Sequence, residues 1–366
     1  MEFSEETQFE PDFYENGIIR PESICKLLSE LNFNEIIIDL ERDSYSQDKW
    51  RKHFPVVALL KLLAVKSFRR QSYLQVVTSL TDEECRLLSL PYDPETKSYL
   101  RPSKSTLHYF ASSRVGKNGV IKLMKFLAEK IMRLIPNGEG IIDSTPLEAS
   151  RYSKCSKFNP HYKIYMDKAH IFHYENSVLF MEFSNATEHD EKHSYSLLKS
   201  VEEIKPNITK FSLDAGYKSF DTHADAWYIL GVHPIITLPE NATYHEEATS
   251  KKIDELVNKM WKKGGDVHSK MQDKLRFLYE NGHKKIVGKY LRNKNMDDPE
   301  FNKKLKSRSN CERKHAHIKK TVKFDVKGYQ EDNREFNVLL NFVAFQILDL
   351  ARIQSGMEKS RFSRYY

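Results

Sequence analysis

The spacing of apolar residues changes character once along this chain, and that change limits the folds open to it. Before Pro136 the apolar positions recur at helical intervals. In "GVIKLMKFLAEKIMRLI", Val120, Met124, Leu127, Ile131 and Leu134 line one helix face. "PVVALLKLLAVKSF" opens with Pro55, a residue favoured at the first helical position. "PNGEG" (136–140) then reads as a break and a domain boundary. Beyond it "GIIDST", "HYKIYMDKAHIFHY" and "SVLFMEFSNA" are extended and β-rich, with a turn at "ENS" that predicts a hairpin. "SYSLLKSVEEI" reads as a helix, "ITKFSLDAGY" as a strand, "DTHADAWYILG" as a helix and "VHPIITLP" as a strand. The expectation is an α/β fold behind a helical amino-terminal domain (1–135), with a mostly helical, charged insertion at 241–300 and a tail at 356–366.

Charge narrows the class of partner. The net charge of +7 hides an asymmetry: between Phe301 and Gln330 ten lysines and arginines face only Glu312 and Asp325, whereas the first fifteen residues are acidic. Such local basic density attracts a polyanion, most often nucleic acid, although a single lysine-rich helix can also be a solvated face. The short helix expected to begin near Ser105 or Thr106 carries Lys104, His108 and Arg114 and suits DNA reading or packing equally. The four cysteines are far apart; Cys311 with His315 and His317, or Cys155 with His161, lack the second pair of ligands that a zinc site needs. No signal peptide opens the chain, and the most apolar stretches are broken by Lys61, Asn341, Gln346 and Asp349. They read as core helices, so the expectation is a cytoplasmic protein without a membrane partner.

Three carboxylates sit where chemistry competes with solvation. Asp143 follows "GII" in the first strand and Asp214 ends "FSL"; ligand sites in open α/β sheets gather at strand ends, and a turn or helix cap is the alternative for each. His189 and Asp190, in "TEHDEKHS", precede a helix and read first as its cap. Glu312 stands among cations in "RSNCERKHAHIKK". On a helix, Arg308, Glu312, His315 and Lys319 would share a sector of roughly 60°. The competing reading is a capping box from Ser309 to Glu312.

Taken together, "IIDST" around Asp143, "LDAGY" around Asp214 and Arg308-x3-Glu312-x6-Lys319 resemble the DDE transposases of insertion sequences over roughly residues 50–350. At the position of the family's signature Tyr stands Leu305, so the phosphate contact made by that Tyr is not carried over. The resemblance implies an RNase H-like mixed sheet flanked by helices, formed by 136–240 and 301–355. It also implies that Asp143, Asp214 and Glu312 are catalytic and hold two Mg²⁺ ions, for which Mn²⁺ could substitute. Arg308, Lys319, His315, Arg313 and Lys320 would contact DNA phosphates. The implied activity is cleavage at transposon ends and transfer of a 3′-hydroxyl to target DNA. Its partners would be double-stranded DNA (terminal inverted repeats and target) and a second copy of the chain or more. Two alternatives use the same residues differently: an RNase H-like nuclease or resolvase that cuts without joining, and a domesticated DNA-binding protein without catalysis.

Overall fold

The computed structural model describes residues 18–19, 24–31, 54–149, 151–153, 156–160, 162–204, 207–236, 246–260, 270–296, 309–322, 324, 331–356 and 361–362; at 18–19, 246–247, 296, 309–314, 331 and 361–362 it describes the backbone alone. The chain divides into two compact units, Met1–Leu134 with His315–Tyr366, and Ile135–Lys314. The first unit opens with α1 (Ile24–Ser29), α2 (Val56–Phe68), α3 (Tyr73–Thr78), α4 (Asp82–Leu87), α5 (Lys104–Tyr109) and α6 (Gly116–Leu134). Every residue of α2 from Ala58 to Val65 is buried, Lys61 included, which makes it a core helix. Pro55 is its extended N-cap and not its first residue, so the helix starts one position later than its composition suggests. Ser72 with Gln75 and Thr81 with Glu84 form capping boxes that start α3 and α4. The predicted stripe of α6 is buried from Val120 to Ile131, but Leu134 is 43% exposed because the chain leaves the helix there.

The second unit is built on a mixed sheet. Its strands are β1 (Asn137–Glu148), β2 (Lys157–Asn159), β3 (Ile164–Tyr174), β4 (Ser177–Asn185), β5 (Asn207–Leu213) and β6 (Pro234–Ile236), with α7 (Glu191–Ile204) and α8 (Phe220–Leu230) between the later ones. The order is β4–β3–β1–β5–β6, and β2 lies beside β4 on the outer edge of β3. The first three long strands are antiparallel, while β5 and β6 run parallel to β1. A mixed sheet of this kind, flanked by helices, is consistent with an RNase H-like core. The two units divide between Leu134 and Ile135, beside "PNGEG", and Gly138 and Gly140 lie inside β1. Space explains them: a Cβ on Gly138 would come within 2.6 Å of the Glu175 side chain, and one on Gly140 within 2.9 Å of the Phe172 ring.

The insertion forms α9 (Glu246–Met260), α10 (Met271–Glu280) and α11 (Lys284–Met296). Ile253, Val257, Leu275, Leu278, Val287 and Leu291 from these helices pack with Ala224 of α8 in one buried cluster. The chain closes with α12 (Ser309–Thr321) and α13 (Glu331–Gln354). Residues 332–354 of α13 are long and apolar enough to cross a membrane, yet 89% of the qualifying window is buried within the protein, as for a core helix. In the same unit, Leu60 and Leu63 of α2, Leu123 of α6 and Leu340 and Val343 of α13 line one small apolar cavity.

Candidate active site

Register brings the first two carboxylates together. Ile141 and Ile142 of β1 pair with Ser212 and Leu213 of β5. The next residues on each side are Asp143 and Asp214, and Asp214 keeps an extended backbone (φ −70°, ψ 162°). The two aspartates therefore stand level on neighbouring parallel strands, which lie about 4.8 Å apart. Side chains alternate along a strand, so level residues share a face. Asp143 is 8% exposed, and its Oδ1 accepts from the Ser144 N–H at 2.9 Å. Asp214 Oδ1 accepts from the Ala215 N–H at 2.6 Å, which starts the single turn Ala215–Tyr217. This is the capping geometry weighed from the sequence. It orients the carboxylate and leaves the side-by-side placement intact.

Behind this pair, on the other face of the sheet, lies a polar network organised by Asp190. Its carboxylate accepts from Ser144 Oγ at 2.8 Å and from Lys168 Nζ at 2.7 Å. A Cβ on Gly216 would come within 2.8 Å of Asp190 Oδ2, so the turn after Asp214 rests on the same carboxylate. One residue thus braces the neighbours of both aspartates, a role that goes beyond capping α7. Burial works to raise the Asp190 carboxyl, but the Lys168 and Ser144 hydrogen bonds outweigh it and hold the pKa below its usual value. Next to it His170 bonds Tyr217 OH and Ser184 Oγ, both at 2.8 Å, and stacks on His193 with ring centroids 4.2 Å apart. Burial, reinforced by His193, lowers His170 from 6.5 to about 3, so it is a neutral imidazole. For His193 burial acts downwards, yet its bonds to Glu182 and Glu188 prevail and its pKa is raised.

Two phenols register how close the acids are. Burial first, then Asp143, Asp190 and Asp214, raise Tyr162, which is 49% exposed. Burial first, then Asp190, Asp143, Asp214 and Glu182, raise the buried Tyr217 well above its usual range. The sequence puts Asp190 46 residues after Ser144, and only the placement of α7 against Ser144 and Lys168 brings it to the site. The dipeptide His189-Asp190 directly before a helix was the one local signal.

The basic segment is described in part. Arg308 lies outside the described residues, and so do the side chains of Cys311, Glu312 and Arg313, together with Cys155 and His161. The backbone of α12 is helical from Ser309, so Glu312 falls within its first turn. His315 is buried, Lys319 half-buried and Lys320 exposed. In the amino-terminal region α5 starts at Lys104 behind Ser103, whose hydroxyl accepts from Thr106 N–H. His108 meets Tyr73 edge-on at 5.3 Å, and Leu107 and Phe110 are buried.

Among the described residues, no group of three or more His, Cys, Asp or Glu side chains is placed to hold a metal ion. Asp143 and Asp214 supply two carboxylates at one level, the hard oxygen donors that divalent magnesium prefers. Asp190 is engaged by Lys168 and Ser144 instead. The donor chemistry therefore fits a divalent ion, and DDE transposases generally use such ions. Residues 136–345, more than half of the chain, match the family described as Transposase DDE domain. Neither a curated protein nor a solved structure matches the chain. The matched region begins just before β1 and runs through both aspartates, the insertion and α12 into α13. By its sheet and this match, the chain belongs to the DDE-domain transposases.

Proposed function

We propose that this transposase cleaves DNA at its transposon ends and joins the freed 3′-hydroxyl to target DNA. The observation that carries the reading is the level placement of Asp143 and Asp214 on neighbouring parallel strands. In this reading Glu312 completes the carboxylate set. Bound at these carboxylates, two Mg²⁺ ions (or Mn²⁺) supply the charge that activates the attacking oxygen and stabilises the leaving one.

The chain's own residues position the reactants. Asp143 comes from the middle strand of a rigid sheet, and Asp214 is oriented by the first N–H of its turn. Asp190 holds Ser144 and backs Gly216, so neither ligand's backbone can shift alone. Water attacks the phosphodiester for nicking; the released 3′-hydroxyl then attacks the target, with no covalent enzyme intermediate. Arg308, Arg313, Lys319 and Lys320 would face the DNA backbone, neutralising phosphates without reading bases. Helices of the amino-terminal region would bind the terminal repeats, in an active complex of at least two copies.

The test is a strand-transfer assay. Purified protein is incubated with DNA carrying the repeats that flank its gene and with a target plasmid, in Mg²⁺ or EDTA. Nicked ends and joined product are expected in Mg²⁺ only. Asp143→Asn, Asp214→Asn and Glu312→Gln should each abolish both products while end binding persists. Retained cleavage in any one variant removes that residue from the site, and nicking without joining would point to a nuclease.

A further inference from the structure

Between Glu148 and Asp167 the chain holds no acidic residue. It holds Arg151, Lys154, Lys157 and Lys163, interleaved with four aromatic residues. The structure turns those four rings outward: Tyr152 is 68% exposed, Phe158 and Tyr162 are each 49% exposed, and Tyr165 is 38% exposed. Single exposed apolar side chains are ordinary, but a run of them in one short hairpin marks an interaction surface. Arg151, Lys157 and Lys163 are exposed beside them.

The geometry of the hairpin suits flat ligands. Phe158 of β2 lies opposite Tyr165 of β3, and their rings meet edge to face with centroids 5.5 Å apart. The Arg151 guanidinium lies over the Tyr152 ring, 4.8 Å from its centroid. A surface for duplex phosphates needs cations but no exposed rings. A protein-binding surface of this apolar content would exclude so many like charges from its centre. Rings interleaved with cations match a strand that presents phosphates and unstacked bases together. Bases inside a duplex are already stacked on their neighbours, so only unpaired ones can use the rings. β3 links the patch to the chemistry: the strand that carries Tyr165 runs on beside β1, where its Ile171 pairs with Asp143.

We propose that the β2–β3 hairpin binds unpaired nucleotides of the DNA strand whose phosphodiester lies at Asp143 and Asp214. The inference rests on the strand-transfer reading above and adds a ligand for a surface which that reading does not use.

Fluorescence anisotropy in EDTA tests it with the full-length protein. The probes are a short labelled oligothymidylate and an abasic oligonucleotide of equal length, which keeps the phosphates and lacks the bases. Wild type should bind the thymidylate roughly tenfold more tightly, the usual contribution of a stacked base. Tyr162→Ala and Phe158→Ala should remove most of that difference, whereas Tyr162→Phe retains the ring and should retain it. Tyr152→Ala, at the most exposed ring, replaces either alanine variant that lowers the melting temperature. Equal affinity of wild type for the two probes would overturn the proposal. So would alanine variants that weaken both probes alike or leave the difference unchanged. Asp143→Asn should keep the base preference, so failure of the cleavage reading and failure of this one are seen separately.

Discussion

Asp190 shows how one side chain can brace the neighbours of two others. Its oxygens hold Ser144 and Lys168, and its bulk lies where a Cβ on Gly216 would go. In the reading proposed above Asp190 is an outer partner of the metal ligands, and removing such a partner commonly costs 10- to 100-fold. Asp190→Asn should therefore slow Mg²⁺-dependent cleavage by roughly that factor and raise the Mg²⁺ concentration required. Gly216→Ala retains the Asp190 carboxylate but displaces it, and the same two readouts should move in the same direction. The stacked histidines give a second residue-scale expectation. His170, lowered to about 3 by burial, is neutral when folded and takes up a proton on unfolding near its usual 6.5. Its contribution to stability is thus complete above about 6.5 and is lost as the pH falls towards about 3. His193 is raised, so its contribution is complete below 6.5 and is lost as the pH rises through its folded value. Ring ¹⁵N shifts should show His193 titrating above 6.5 while His170 stays neutral to far lower pH.

At the level of elements, packing distances decide what the chain tolerates. A Cβ on Gly288 of α11 would come within 1.7 Å of the Phe220 carbonyl oxygen at the start of α8. The two backbones touch, and the insertion docks on the core through that crossing. Gly288→Ala should lower stability by about 3 kcal/mol, the upper range for overpacking, even though alanine favours a free helix by about 1 kcal/mol. A fall in the urea midpoint would show it, and an unchanged midpoint would mean that α11 can move away. The end of α12 carries a separate expectation. Lys320 is exposed, so Lys320→Ala should weaken binding to all DNA sequences about equally and reduce the salt slope by about one. Anisotropy titrations over a salt series check both parts, and a loss confined to one sequence would contradict a phosphate contact.

Across the whole molecule, charge and topology do different work. The excess of +7 is concentrated in the segment around α12, while the first fifteen residues are themselves acidic. DNA affinity should accordingly fall steeply and log-linearly with salt. Element order was legible in the sequence because hydrophobic period is a local property: the 3.6-residue stripe of α6 and the extended runs of β3 and β4 need no partner to be read. That Asp214 ends a strand was legible for the same reason, whereas Asp143 lies mid-way along β1, which runs on to Glu148. Pro55 was off by one position, and Leu134, the last residue of α6, is exposed where the stripe predicted burial; both lie at helix ends, where local signals fade. The two units divide between Leu134 and Ile135, beside "PNGEG", yet its glycines are not there for backbone freedom: Gly138 and Gly140 serve close packing against Glu175 and Phe172. Which strand neighbours which, and therefore the level pairing of Asp143 with Asp214, follows from contacts across some seventy residues. The same holds for Asp190, which reaches Ser144 only because α7 packs over that face of the sheet. The chain's sequence by itself thus determined its elements, its charge and its family. Tertiary structure alone decided which acids meet, because that depends on pairings between distant segments that no local pattern encodes.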